Sequence, residues 1–196
     1  MDVRGSEERG VPGRPRESPR AASAIEARPA LPDYLRPGLR VVFVGFNPGD
    51  RSSRIGHYYA GRGNQFWNFL FESGLVGERL RPEDDHRVLE FSLGLTDVVK
   101  RWSRSAGELR TSDYREGVPQ LKAKLAAATP LAVAFNGKFA YEKFCGHPAR
   151  LGWQRELFEG AQVFVLPSTS GRNGSLTRAQ KLACFRRLAQ WVKRHE

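Results

Sequence analysis

No apolar run in the sequence approaches the roughly 20 residues that a membrane-spanning helix needs. The N-terminus has no apolar stretch of the kind that forms the core of a signal peptide. A protein of the cytoplasm is therefore expected. Only two cysteines occur, Cys145 and Cys184, and neither belongs to a C-x-x-C pair. Two thiols cannot build a four-thiolate metal or iron–sulfur site. Both lie among apolar periodic residues, which predicts buried free thiols in a reducing compartment. The four histidines, His57, His86, His147 and His195, lack metal-ligand spacing. No phosphate-loop pattern G-x-x-x-x-G-K-[ST] is present, because Gly45 and Gly49 are not followed by the lysine. No G-x-G-x-x-G follows a strand, and no G-x-S-x-G elbow is found, which excludes a serine hydrolase of that type.

What is present is positive charge, and it is unevenly placed. The net charge is +11, yet residues 1–35 hold six arginines against six acidic residues. The whole excess falls in residues 36–196, with 26 basic and 15 acidic side chains. A folded unit this basic points to a polyanionic partner, most often nucleic acid. Residues 1–30 are Arg, Glu, Pro, Gly, Ser and Ala with almost no large apolar side chains. Such a segment cannot bury enough surface to offset its ordering entropy, so a disordered arm is expected before a single domain at 31–196.

Three apolar, β-branched stretches each end in a polar turn. Residues 40–46 run into Asn47-Pro48-Gly49, residues 131–135 into Asn136-Gly137-Lys138, and residues 163–167 into Ser168-Thr169-Ser170-Gly171-Arg172-Asn173-Gly174. Continuous apolar runs read as strands buried on both faces. Helical spacing appears at 65–71, 113–127, 138–145 and about 176–194, with Asn64 as the expected N-cap of the first. Residues 93–99 read as a short apolar segment and 47–63 as one long polar loop. The alternation predicts an α/β three-layer sandwich with a central, mainly parallel sheet flanked by helices. Parallel strands bring all three polar turns to one sheet edge, where ligands of open α/β sheets bind. Taken alone, Asn47-Pro48-Gly49 is also an ordinary strand-to-loop turn.

The residues gathered there are neutral polar groups, aromatics and arginines, an inventory suited to nucleic-acid bases. Phe46, His57, Tyr58 and Tyr59 are able to stack a base, although loop packing explains the two tyrosines as well. Arg172 is able to reach into a duplex, to touch a phosphate or to lie in solvent.

The motifs in order carry a resemblance. Gly45-Phe46-Asn47-Pro48-Gly49, then Gly56-His57-Tyr58-Tyr59 and Gly63-Asn64 before Phe66-Trp67, resemble the mismatch-specific uracil/thymine-DNA glycosylase family of the uracil-DNA glycosylase superfamily. The similarity continues through Gly94-Leu95-Thr96, through Ala134-Phe135-Asn136-Gly137-Lys138 with Tyr141-Glu142, and through Leu166-Pro167 into Ser168–Arg172. It spans about 38–193 and leaves out the N-terminal arm.

The resemblance implies a monomeric, monofunctional enzyme without metal or cofactor. Its substrate would be double-stranded DNA holding mispaired or deaminated bases. It would flip out uracil, in some members thymine, opposite guanine and leave an abasic site for base excision repair. Asn47 matches the catalytic Asn that positions the attacking water. Tyr59 matches the aromatic that stacks on the extruded base. Phe46, Gly49, His57 and Thr96 fall with the base pocket, and Ser168, Thr169, Ser170, Gly171, Arg172 and Asn173 match the loop that enters the DNA, with Arg172 as the wedge. This chain departs from the pattern in three places. Phe46 replaces the usual Ile, Ser168-Thr169 replaces Asn-Pro, and Asp97 stands where the family varies. The Ser168–Arg172 stretch is closer to the thymine-processing pattern. Asp97 is expected either to assist Asn47 in activating water or to act as an N-cap or salt-bridge partner of Lys100 or Arg101. The competing readings are a uracil-DNA glycosylase of another class with Asp97 as base, and a DNA-binding protein that holds mismatches or abasic sites without cleaving.

Overall fold

The computed structural model describes residue 1 and residues 28–196. The sequence-based arm at 1–30 therefore falls mostly outside the described residues. Arg28 itself sits against the folded unit, donating to Asp50 Oδ1 and Ser53 Oγ, each at 2.9 Å.

Five strands form one sheet. In chain order they are β1 (Val41–Gly45), β2 (Leu93–Asp97), β3 (Ala132–Asn136), β4 (Gly152–Trp153) and β5 (Gln162–Leu166). The spatial order is β2-β1-β3-β5-β4, with all neighbours parallel except β4 against β5. Among the described residues five α-helices accompany it: α1 (Asp50–Ile55), α2 (Phe66–Glu72), α3 (Thr111–Ala128), α4 (Lys138–Cys145) and α5 (Arg178–His195). A 3-10 helix, Pro82–Phe91, precedes β2.

Strand alternation divides the core. Val41 and Phe43 join Leu93 and Leu95 against Phe66, Phe69 and Leu70 of α2 and Phe185 and Leu188 of α5. Val42 and Val44 join Val133 and Phe135 against Leu121 and Leu125 of α3 and Tyr141 and Phe144 of α4. Two apolar layers on one sheet make the three-layer sandwich that the strand–helix alternation predicts. β1 is an interior strand between β2 and β3, every residue of it buried.

Three local expectations change. The loop 47–63 contains α1, whose inward residues are Ser52 and Ser53 rather than apolar ones. It carries no hydrophobic periodicity, so pattern reading passes over it. Asn64 lies one residue before the assigned cap, Gln65, yet its Oδ1 accepts the Phe66 N–H at 3.0 Å and so satisfies the helix start. Cys145 and Cys184 are free but only half-buried.

Candidate active site

The C-terminal ends of β1, β2, β3 and β5 lie together, and the turns that follow them share one edge of the sheet. The register pairs Gly45 with Asp97 and Asn136 with Leu166.

Beyond β1 the chain keeps company with the segment after β2. Val98 N–H donates to Gly45 O, Val99 N–H to Phe46 O, both at 3.0 Å, and Ser103 N–H to Pro48 O at 3.2 Å. This ladder holds Asn47 beside residues 101–103. Its Nδ2 donates to Arg101 O at 3.0 Å and to Ser103 Oγ at 2.9 Å, with a longer contact of 3.2 Å to Pro48 O. The nitrogen side of the amide is thereby committed to protein acceptors, which turns the carbonyl oxygen Oδ1 the other way. Ser103 passes its own proton to Ser105 O at 2.7 Å, so its lone pair is directed to Asn47.

Tyr59 adopts φ +54°, a left-handed backbone uncommon for a residue with a large side chain. The ring stacks on Phe66 at 3.8 Å between centroids. Its hydroxyl is buried and has no well-formed hydrogen bond among the described residues, although it points toward Asn136 and Asp97. Burial, then the Asp97 charge, pushes its ionisation well above the ordinary tyrosine range.

Next to it, Tyr58 N–H donates to Asp85 Oδ2 at 2.9 Å, and Tyr34 Oη donates to Asp85 Oδ1 at 2.8 Å. Asp85 is fully buried. His57 Nδ1 lies 3.3 Å from the same carboxylate, off the line that a hydrogen bond requires. His57 is thus tethered to the Asp85 anchor by proximity rather than by a formed hydrogen bond.

Asp97 occupies neither of its expected structural roles. It caps no helix, Lys100 pairs with Asp33, and Arg101 pairs with Asp113 at 2.7 Å. The side chain turns instead beneath the end of β1. A Cβ placed on Gly45 would lie 2.1 Å from Asp97 Oδ1 and 3.2 Å from Tyr59 Oη. Asp97 Oδ2 is buried and has no hydrogen-bond partner among the described residues. Burial pushes the carboxyl up to about 7; Lys100 opposes this, Asp33 adds to it, and Lys124 opposes it more weakly.

The structure does not bring Thr96 or the Phe46 side chain into this group. Successive side chains alternate across a sheet, so Thr96 points away from Asp97. Its hydroxyl donates to Asp33 Oδ1 at 2.6 Å. Asp33 also takes Lys124 Nζ at 2.7 Å and Lys100 Nζ. Burial works against charge on Asp33, but these hydrogen bonds outweigh it and hold the carboxyl below its usual range. The Phe46 ring packs on the other layer, with centroids 4.7 Å from Phe139 and 5.7 Å from Tyr114. Tyr114 and Phe139 in turn line an open cleft of about 610 Å³ between α3 and α4, whose lining includes neither Phe46 nor Asn47. Gly49 is the N-cap of α1, where its carbonyl accepts the Ser53 N–H at 2.9 Å.

The loop 168–173 is fastened at several points. Asn136 grips Thr169 with both ends of its amide: Nδ2 donates to Oγ1 at 2.8 Å and Oδ1 accepts the backbone N–H at 3.1 Å. Gln65 N–H donates to Thr169 O at 3.0 Å, and Lys181 Nζ donates to Asn173 O at 2.6 Å. Gly171 lies so close to the chain at 62–63 that a Cβ would stand 3.1 Å from the Arg62 and Gly63 carbonyl oxygens. Ser168 and Ser170 brace the turn through their hydroxyls, which accept from the N–H groups of Ser170 and Arg172 at 3.4 and 3.3 Å. Arg172 emerges exposed from this clamped turn, its guanidinium touching Arg104 O at 3.3 Å.

Sequence reasoning did not find Ser103, Asp85, Asp33 or the clamping use of Asn136. Only Asn136 carried a signal, its place at the end of an apolar strand.

The α/β sandwich thus carries an amide, stacked aromatics and a clamped arginine loop on one sheet edge. The family model of the uracil DNA glycosylase superfamily matches residues 32–193, and the chain belongs to that superfamily. A solution NMR structure from Methanosarcina acetivorans, described as that of a candidate uracil DNA glycosylase, is similar at 25% identity with a TM-score of 0.57. That likeness covers 82% of this chain and 98% of the other. The protein is accordingly a DNA glycosylase.

Proposed function

We propose that the protein excises uracil mispaired with guanine in duplex DNA, hydrolysing the N-glycosidic bond and leaving an abasic site. Thymine and other modified pyrimidines opposite guanine are the secondary substrates of this reading. The observation that carries it is the fixed amide of Asn47, whose nitrogen is held by Arg101 O and Ser103 Oγ so that Oδ1 is the group offered to solvent.

An amide oxygen accepts a hydrogen bond from water but is too weak a base to remove its proton early. The reaction is therefore dissociative. The C1′–N1 bond breaks, its electron pair leaves with the base, and the sugar becomes oxocarbenium-like. Water held at Oδ1 adds to C1′ late, where orientation contributes more than deprotonation. The base must leave the stack first, at a cost of a few kcal/mol that a wobble mispair lowers. Tyr59, braced on Phe66, supplies a face for the extruded pyrimidine. Arg172 enters the space it vacates, where a guanidinium suits the edge of the unpaired guanine. His57 borders the same pocket. Rigid support by Asn136, Gln65 and Lys181 favours this wedge role, because an inserting loop loses less entropy when it is ordered beforehand. The chain acts as a monomer in this account.

Incubating the protein with a duplex carrying one U:G pair, followed by alkali, tests the proposal. Strand breaks at the uracil are expected, fastest for U:G among U:G, T:G, U:A and single-stranded uracil. Tight binding without an alkali-labile product would instead mark a protein that holds mismatches without cleaving them. Excision faster on T:G than on U:G would overturn the assignment of the preferred base.

A further inference from the structure

The segment after β2 carries two acceptors of the Asn47 amide, Arg101 O and Ser103 Oγ. Between those residues stands Trp102, buried at 8% exposure. Arg28 covers the face of its indole, with the guanidinium carbon 3.9 Å from the ring centroid. The same guanidinium reaches the start of α1. Its Nη1 is shared among Asp50 Oδ1 and Ser53 Oγ, each at 2.9 Å, and Asp50 O at 3.1 Å. Asp50 follows the Asn47-Pro48-Gly49 turn directly. Arg28 thus ties together the two stretches of chain that meet at Asn47: the turn that carries the amide and the loop that holds its nitrogen.

The same N-terminal stretch grips the segment after β2 a second time. Lys100 Nζ donates to Leu31 O at 3.1 Å and pairs with Asp33, which also accepts from the Thr96 hydroxyl. That grip fixes the root of the loop, and Arg28 fixes the part that lies beside Asn47.

We propose that Arg28 is a positioning residue for hydrolysis: by holding Trp102 against α1 it sets the direction in which Asn47 presents Oδ1 to water. This inference rests on the uracil-excising reading, in which that oxygen orients the attacking water. An amide is only as well placed as its acceptors. Arg101 and Ser103 flank Trp102 in sequence, so a shift of the indole carries both with it. A misplacement of about 1 Å at a reacting centre costs roughly a hundredfold in rate. Arginine suits the task because its planar group stacks on an aromatic face while its N–H groups donate in the plane; an ammonium keeps the charge but not that shape. Arg28 is poorly placed to act as a phosphate contact, since its side chain is 13% exposed and its charge is answered by Asp50.

Single-turnover excision of uracil opposite guanine and binding to an abasic-site duplex, measured side by side on folded protein, test the role. Arg28→Ala is expected to excise about tenfold more slowly, with a Kd for the abasic duplex within about twofold of wild type. Arg28→Lys is expected to recover to within about threefold of the wild-type rate. In the residual slow excision of Asn47→Ala, adding Arg28→Ala is expected to cost nothing further, because the two side chains act through one group. A role in packing alone would lower the unfolding midpoint of Arg28→Ala and leave its excision rate unchanged, which overturns the proposal. An equal further loss in the Asn47→Ala background overturns it too. Rate and affinity that fall together, with a shallower salt dependence, would make Arg28 a phosphate contact instead. A wild-type protein that yields no abasic product would sink the uracil-excising reading along with this one, whereas the other adverse outcomes sink this one alone.

Discussion

Gly45 and Asp97 face each other across parallel strands, and the carboxylate of one occupies the side-chain space of the other. A Cβ on Gly45 would lie 2.1 Å from Asp97 Oδ1, closer than any real contact. Gly45→Ala must therefore displace Asp97 or part the two strands, and overpacking of this kind costs about 1–3 kcal/mol. A lowered midpoint in thermal unfolding is expected. Adding Asp97→Ala in the same chain removes the obstructing oxygen and is expected to restore most of the loss. Equal melting of Gly45→Ala and wild type would show that the strand ends are slack.

Asp97 also ties stability to pH. Its folded pKa, about 7, lies above the ordinary carboxylate value near 3.8. The folded state therefore holds the proton more tightly than the unfolded one. The resulting stabilisation is fully present below the unfolded value and is lost as pH rises through about 7. Asp97→Asn removes the group that must ionise in the interior. It is expected to gain about 4 kcal/mol over wild type at pH 8.5 and little at pH 4, measured by urea unfolding at both. A gain of the same size at both pH values would rule out ionisation as the cause.

Ser103 orients Asn47 by accepting a hydrogen bond from its amide. Ser103→Ala leaves Asn47 Nδ2 with the Arg101 carbonyl but without its 2.9 Å hydroxyl partner. One neutral hydrogen bond contributes about 1 kcal/mol, so a roughly five- to tenfold slower excision step is expected. Binding to an abasic-site duplex should be unchanged, because the lost contact concerns only the orientation of water. An unaltered single-turnover rate would show that the Arg101 carbonyl alone holds the amide.

The proposed wedge role of Arg172 requires a partner strand. Arg172→Ala is expected to slow excision from U:G duplex at least about tenfold, in line with the roughly 1–3 kcal/mol of a guanidinium on a guanine edge. Uracil in single-stranded DNA should lose far less. Comparing the two substrates in one experiment separates a wedge from a general phosphate contact, which would weaken both alike.

The layered fold was legible because its strands and main helices carry strong periodicities. β1, β3, β5 and α5 fall within about two residues of their sequence-based bounds. β4 is two residues long and offers no pattern. α1 turns serines inward, so nothing apolar announces it. In the site, Asn47 and the 168–173 loop were visible as abrupt polar ends of apolar runs. Strand parity explains the fate of Thr96: it shares a face with Gly94, opposite Leu95 and Asp97, so both Thr96 and Asp97 cannot line one pocket. The long-range partners were out of reach. Asp33, Lys100 and Lys124 meet only after the sheet has formed, and Ser103 is an unremarked serine in a basic loop until the ladder from Gly45 to Pro48 brings it to Asn47.

The interior place of β1, between two strands encoded far downstream, also has a consequence for how the chain is made. β1 is completed at Gly45, but its two neighbours, β2 and β3, end only at Asp97 and Asn136. During synthesis an entirely apolar strand has both edges open until those segments emerge, and open apolar edges are where chains stick to one another. Chains released before residue 132 are thus the ones expected to aggregate, while Asn47 waits for partners encoded more than fifty residues downstream.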